Sequence, residues 1–195
     1  MNRMAVSSQA PSQGRAARLV GRAPAGVRPY LELLRLDRPV GAWLLVVPGW
    51  IALGAIAGPG DEGLLGLLLL VYGVLYGALI CWAVGTDVIY ACQDREADVR
   101  AGVRSAAVLL GRRSRVMVGG VYAGCVVLLA WFGVVAGFGP LYWPGLCVVA
   151  GQLGWQVWRA DPADAGACGR AFGTNPLCGL LILVAVLAGR VGTLG

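Results

Sequence analysis

The residues of this chain best suited to chemistry lie in one stretch, Asp87-Val-Ile-Tyr90-Ala91-Cys-Gln-Asp94-Arg95-Glu96-Ala-Asp98-Val-Arg100-Ala-Gly102-Val-Arg104-Ser105. On a continuous helix at about 100° per residue, Asp94 falls roughly 20° to one side of Asp87 and Asp98 roughly 20° to the other. The spacing therefore predicts three carboxylates on one stripe, with Ala91 leaving that stripe open and Glu96 on the opposite face. Three anions so arranged repel one another and cost stability unless a cation neutralises them. Magnesium suits the position, because it takes hard oxygen ligands and is shared between one or two carboxylates and a substrate's phosphates. Calcium stays open on chemistry alone, although no EF-hand spacing is present. Arg95, Arg100 and Arg104 would lend positive charge to a departing phosphate anion. The alternative is a solvated loop whose acids pair with those arginines for a few tenths of a kcal/mol each.

Other chemistries are excluded by composition. The chain has no histidine, so a Ser-His-Asp triad, a His-ligated zinc or haem and an imidazole base are all ruled out. The six cysteines (Cys81, Cys92, Cys125, Cys147, Cys168, Cys178) show no CxxC spacing. They read as small apolar packing residues, not as a disulfide framework.

The elements that must position the carboxylates are membrane helices. The sequence is 58% hydrophobic and 13% charged, with a mean hydropathy of +0.72, a balance unsuited to a solvated surface. A helical crossing takes about 20 apolar residues. Span one is expected over Val40–Gly60, entered through Asp37-Arg38-Pro39, an N-cap carboxylate followed by a first-turn proline. Span two is expected over Gly63–Thr86, after the helix-breaking Gly58-Pro59-Gly60-Asp61-Glu62. The run Val116–Trp158 is divided at Gly137-Phe138-Gly139-Pro140 into spans three and four, and span five covers Ala171–Gly189. Most tryptophans lie towards span ends, where indole rings favour the interface. The fold class is thus an all-α, polytopic transmembrane bundle of about five spans, occupying residues 32–195.

Residues 1–31 carry five arginines, several serines and no acidic residue. Arg15, Arg18 and Arg22 share one helical face, which suits a mitochondrial import helix; a basic tail without targeting value is the alternative. Five crossings put the loops around residues 35–38, 87–115 and 159–170 on one side, together with the arginine clusters. The positive-inside rule turns that side towards the cytoplasm or, in an organelle, the matrix. No nucleic-acid partner is expected; the bilayer is.

The pattern Asp87-x-x-Tyr90-Ala91-x-x-Asp94-x-x-x-Asp98-x-x-x-Gly102-x-x-Ser105 resembles the second Asp-rich motif of the UbiA-type 4-hydroxybenzoate polyprenyltransferases, and Leu34–Gly41 resembles their first-helix signature. The resemblance covers roughly residues 29–190. It implies a nine-helix membrane fold and magnesium held by Asp94 and Asp98, with Asp87 in support. It also implies a polyprenyl diphosphate and 4-hydroxybenzoate as substrates. Tyr90 would bind the diphosphate or pack at the interface, and Arg35 and Arg38 would anchor span one or line the substrate site. The implied setting is ubiquinone biosynthesis in the mitochondrial inner membrane, in association with other proteins of that pathway; a bacterial inner membrane is the alternative.

The first Asp-rich motif of that family, N-D-x-x-D-x-x-x-D, has no counterpart here, since neither Asn2 nor Asn175 is followed by Asp. The chain reads as though about four helices were missing near residues 63–77. An even number preserves the topology downstream. A chain so shortened is expected to insert correctly and to lack turnover.

Overall fold

The computed structural model describes residues 22–24, 47, 49, 51, 62–102 and 105–191. Of the expected first span only residues 47, 49 and 51 are described, and all three are helical. The remainder of that span, Arg35, Arg38 and Arg104, and nearly all of the basic N-terminal segment lie outside the described residues.

From residue 62 the chain is a succession of helices: α1 Glu62–Gln93, α2 Arg95–Ala101, α3 Ala106–Leu110, a 3-10 turn Gly111–Arg113, α4 Ser114–Val135, α5 Tyr142–Arg159, α6 Ala165–Phe172 and α7 Asn175–Val191. No strand occurs among the described residues. Each expected span from the second onward corresponds to a helix. Among the described residues three stretches are long and apolar enough to cross a membrane: Glu62–Gln93, Ala106–Val135 and Ala165–Val191. The expected fourth span is α5, whose apolar character is diluted by Pro144, Gln152, Gln156 and several glycines. It is nevertheless flanked by α4 and α7.

Sequence spacing explains how these helices pack. The buried positions of α4 are Ser114, Val118, Tyr122, Cys125, Leu129, Phe132 and Gly133; those of α5 are Tyr142, Leu146, Val149, Leu153 and Gln156. In α7 they are Asn175, Cys178, Ile182, Ala185 and Gly189. From Val118 to Phe132 in α4, and throughout α5 and α7, the steps alternate between three and four, the 3.5-residue period of helices that cross at a shallow left-handed angle. Lipid gives such helices no hydrophobic drive to associate, so close contact must come from small residues. A Cβ on Gly85 would lie 2.2 Å from the Tyr122 ring, and one on Gly145 would lie 2.7 Å from Ala185 Cβ and 3.0 Å from its Cα. Glycine is therefore what lets α1 meet α4 and α5 meet α7 at these depths. The buried Tyr142 hydroxyl donates to Leu129 O at 2.7 Å, joining α5 to α4.

Helix α1 also runs antiparallel to α6 and α7 in a steady register. Gly169 faces Gln93, with its ideal Cβ 3.4 Å from Gln93 Oε1, and Phe172 stacks at a tilt on Tyr90 with ring centroids 5.2 Å apart. Asn175 meets Thr86 and Trp82, and a Cβ on Gly179 would lie 3.2 Å from the Trp82 indole. The stretch between Arg159 and Arg170, expected as a loop, contains α6. Its start is fixed by Asp164, whose Oδ1 accepts from Ala167 N at 3.0 Å. Arg115 donates to the carbonyls of Val157 and Trp158, bringing the start of α4 to the end of α5. One end of the bundle thus gathers the described arginines Arg95, Arg100, Arg112, Arg113, Arg115, Arg159 and Arg170, while Glu62 and Arg190 stand at the other.

Candidate functional site

The Asp-rich stretch emerges at the basic end. Here the structure corrects the single stripe expected from the spacing. Helix α1 stops at Gln93, Asp94 adopts φ −96° and ψ 5°, and a separate helix α2 begins at Arg95. The one-stripe expectation presumes uninterrupted helical turns through Asp94, so it fails at that residue. Asp87 remains exposed on α1, while Asp98 sits half-buried on α2. The Asp98 N–H donates to Asp94 O at 2.9 Å, carrying a helical hydrogen bond across the interruption.

Beside the interruption is an open cleft of about 560 Å³. Asp94, Arg95, Glu96 and Arg100 line one wall, and Pro162 and Ala163 line the other. Glu96, expected on the opposite face, therefore joins Asp94 here, whereas Asp87 and Asp98 do not line the cleft. Tyr90 is not on its wall either and packs on Phe172. Arg100 reaches back to Glu96, its Nε donating to the Glu96 carbonyl at 3.2 Å and its Nη2 standing 3.8 Å from Oε2. Both side chains are largely exposed, so this ion pair adds little stability.

Among the described residues no three Asp, Glu or Cys side chains converge closely enough to cage a metal ion. Two carboxylates with guanidinium groups beside them suit a different arrangement: a hard cation completed by a ligand's phosphate oxygens and water.

Directly beneath the acidic end lies a polar cluster that the sequence reading missed. Asn175 opens α7; its Oδ1 accepts from Trp82 Nε1 at 3.2 Å and from Gln156 Nε2 at 3.3 Å, while its Nδ2 donates to Phe172 O at 2.8 Å. Gln156 Nε2 also donates to Thr174 Oγ1 at 2.9 Å, and that hydroxyl donates to Ala171 O. Thr86 Oγ1 is 3.3 Å from Asn175 Oδ1 but only 2.9 Å from Trp82 O. Its single proton goes to the nearer acceptor, leaving the Tyr122 hydroxyl, 3.4 Å away, to donate to it. Asn175 thereby fastens α1, α5 and the end of α6 together, holding α1 at Trp82. Gln156 is fully buried, and its Oε1 has no partner among the described residues. The available signal was an amide side chain inside an apolar run, which is costly in a membrane and so marks a partnered or functional position.

The sequence profile of the UbiA prenyltransferase family matches residues 38–181. The mitochondrial 4-hydroxybenzoate polyprenyltransferase of Arabidopsis thaliana is 37% identical over 116 residues, which is 60% of this chain and 28% of that protein. The 4-hydroxybenzoate octaprenyltransferase of Cronobacter sakazakii is 37% identical over 57% of this chain and 38% of its own length. That of Xanthomonas campestris pv. campestris is 38% identical over 72% of this chain and 45% of its own length. The chain thus spans less than half the length of these relatives. No solved structure matches it.

Proposed function

The chain belongs to the UbiA prenyltransferase family, and on that premise we propose that it carries the second carboxylate motif of a 4-hydroxybenzoate polyprenyltransferase. The observation that supports this most directly is the run Asp87 to Ser105 at the end of a 32-residue apolar helix, with Asp94 and two arginines on an open cleft. In the proposed reaction the allylic carbon–oxygen bond of a polyprenyl diphosphate breaks and its electron pair leaves with the diphosphate. The ring of 4-hydroxybenzoate bonds to the allylic carbon beside its hydroxyl and loses a proton.

Magnesium, when bound, would neutralise the charge that develops on the leaving diphosphate. Asp94 would hold it, with Asp98 and Asp87 assigned by motif and Glu96 added by its place on the cleft wall. Arg95 and Arg100 would orient the diphosphate, with Arg104, Arg35 and Arg38 assigned by sequence alone. The apolar helices would bury the isoprenoid and exclude water. Segregation of arginine at one end of the bundle supports a matrix-facing motif in the mitochondrial inner membrane, or a cytoplasmic one in a bacterial membrane. Other proteins of ubiquinone synthesis are the partners this reading expects.

The missing first motif favours a second reading for the polypeptide itself, a membrane protein derived from this fold without turnover. Losing one preorganised donor to a developing anion costs about 3–4 kcal/mol of transition-state stabilisation, and here an entire carboxylate motif has no counterpart. The test expresses this chain, and a version with the absent helices restored, in a ubiquinone-deficient strain lacking its own enzyme. Rescue by the restored version alone is expected. Rescue by the short chain at a comparable rate would show that one Asp-rich motif suffices, and rescue by neither would defeat the proposed reaction.

A further inference from the structure

We propose that Cys92 and Cys168 are a paired redox-modification site, with Cys92 the thiol that meets an oxidant and Cys168 the thiol that resolves it into a disulfide. Cys92 lies in the last turn of α1 and Cys168 in the middle of α6. The antiparallel register brings them together: Gln93 faces Gly169 on one side of the pair and Tyr90 packs on Phe172 on the other. Both side chains are buried at this junction, and Cys92 shares a small cavity with Ser114 at the start of α4. Cys168 Sγ donates to Asp161 O at 3.1 Å, which holds its side chain in place.

Access differs between the two. Both thiols are buried, but Cys92 lines the 560 Å³ cleft and keeps 5% exposure, whereas Cys168 has none. A small oxidant of the peroxide class arriving through the cleft therefore meets Cys92 first. The Cys92 sulfur attacks one peroxide oxygen, the O–O bond breaks, and one water leaves with formation of a sulfenic acid. Cys168 sulfur then attacks Cys92 sulfur and displaces the hydroxyl as a second water. The two thiol hydrogens end in the two waters, and the disulfide joins α1 to α6. The basic end of a membrane protein ordinarily faces a reducing compartment, so the resting state is the dithiol. Oxidation would lock the junction from which Asp94 projects. None of this depends on the proposed reaction.

The experiment treats the full chain in detergent micelles with one equivalent of hydrogen peroxide, alkylates the remaining thiols after unfolding in SDS and maps the cysteine-containing peptides by mass spectrometry. Most of the oxidised Cys92 is expected in a peptide linked to Cys168, while the exposed Cys147 is at most singly modified. In Cys168→Ser the linked peptide should vanish and dimedone should trap Cys92 as the sulfenic acid. Without any substitution, hydrogen exchange over residues 95–101 should slow at least several-fold on oxidation and recover with dithiothreitol. Pairing of Cys92 with a different cysteine would overturn the proposal. So would full alkylation of Cys92 and Cys168 after peroxide.

Discussion

Replacing Asn175 with Leu, a side chain of nearly the same shape, tests whether the buried amide cluster fixes the acidic end of α1. The change removes three hydrogen bonds: Trp82 Nε1 to Oδ1, Gln156 Nε2 to Oδ1, and Nδ2 to Phe172 O. In a water-soluble core each would be worth about 1 kcal/mol net, more where a buried partner is stranded. Between membrane helices, interhelical hydrogen bonds average about 0.6 kcal/mol and reach about 1.7, because the unfolded chain in the membrane also finds partners. Gln156 keeps its bond to Thr174, whereas the Trp82 N–H loses its acceptor. We therefore expect a loss of about 2 kcal/mol, nearer three average membrane bonds than three aqueous ones. Reversible unfolding in mixed micelles, followed by tryptophan fluorescence, measures it. A double-mutant cycle with Trp82→Phe should give a coupling of about 0.6–1.7 kcal/mol. Hydrogen exchange over residues 95–101 should rise in the same variant, since Asn175 ties α1 at Trp82 to the end of α6. A loss under about 0.5 kcal/mol, or zero coupling to Trp82, would refute the view that Asn175 joins these helices.

Gly145→Ala should destabilise the bundle by about 1–3 kcal/mol, because the new methyl would lie 2.7 Å from Ala185 Cβ and 3.0 Å from its backbone; the same unfolding assay reads it. Arg100→Ala should change stability by less than about 1 kcal/mol, as expected of an exposed i,i+4 pair. With the absent helices restored, Asp94→Asn should lower prenyl transfer by orders of magnitude. Equal losses from Glu96→Gln, with none from Asp98→Asn, would assign the chemistry to the cleft wall in place of the stripe. In mitoplasts, an impermeant thiol reagent should fail to label Ala163→Cys in a background without other cysteines, and should label it once the inner membrane is opened. Labelling from the intermembrane side would reverse the orientation; native Cys92 is too buried to report it.

Uncharged runs bounded by Gly-Pro clusters placed the helices well, since backbone groups in lipid have no alternative to helical hydrogen bonds. The interruption at Asp94 was not legible: Gln93-Asp94-Arg95 contains neither glycine nor proline, and the break shows only in the assembled fold. It moved Glu96 onto the cleft and left Asp98 off it. Helix α6 was obscured by its charged ends, although Asp161-Pro162-Ala163-Asp164 is an adequate start signal once Asp164 is read as an N-cap. Carboxylates attract notice for their charge, while Gln156 and Asn175 carry none. Their importance follows from burial, which a single sequence shows only indirectly.

The length of α1 sets the electrical surroundings of the acidic end. At about 1.5 Å per residue its 32 residues extend about 48 Å, some 18 Å more than a hydrocarbon core of about 30 Å. If its first residues stand at one edge of that core, Asp87 and Asp94 emerge among or just above the opposite headgroups, within about a screening length of the lipid charge. A leaflet at about −30 mV concentrates a divalent cation roughly tenfold over bulk and drives away a free polyanion. Lipid composition would therefore govern both the supply of cations to this end and the departure of diphosphate from it. An apparent magnesium requirement measured in neutral detergent should fall when the same protein is placed in vesicles rich in anionic lipid.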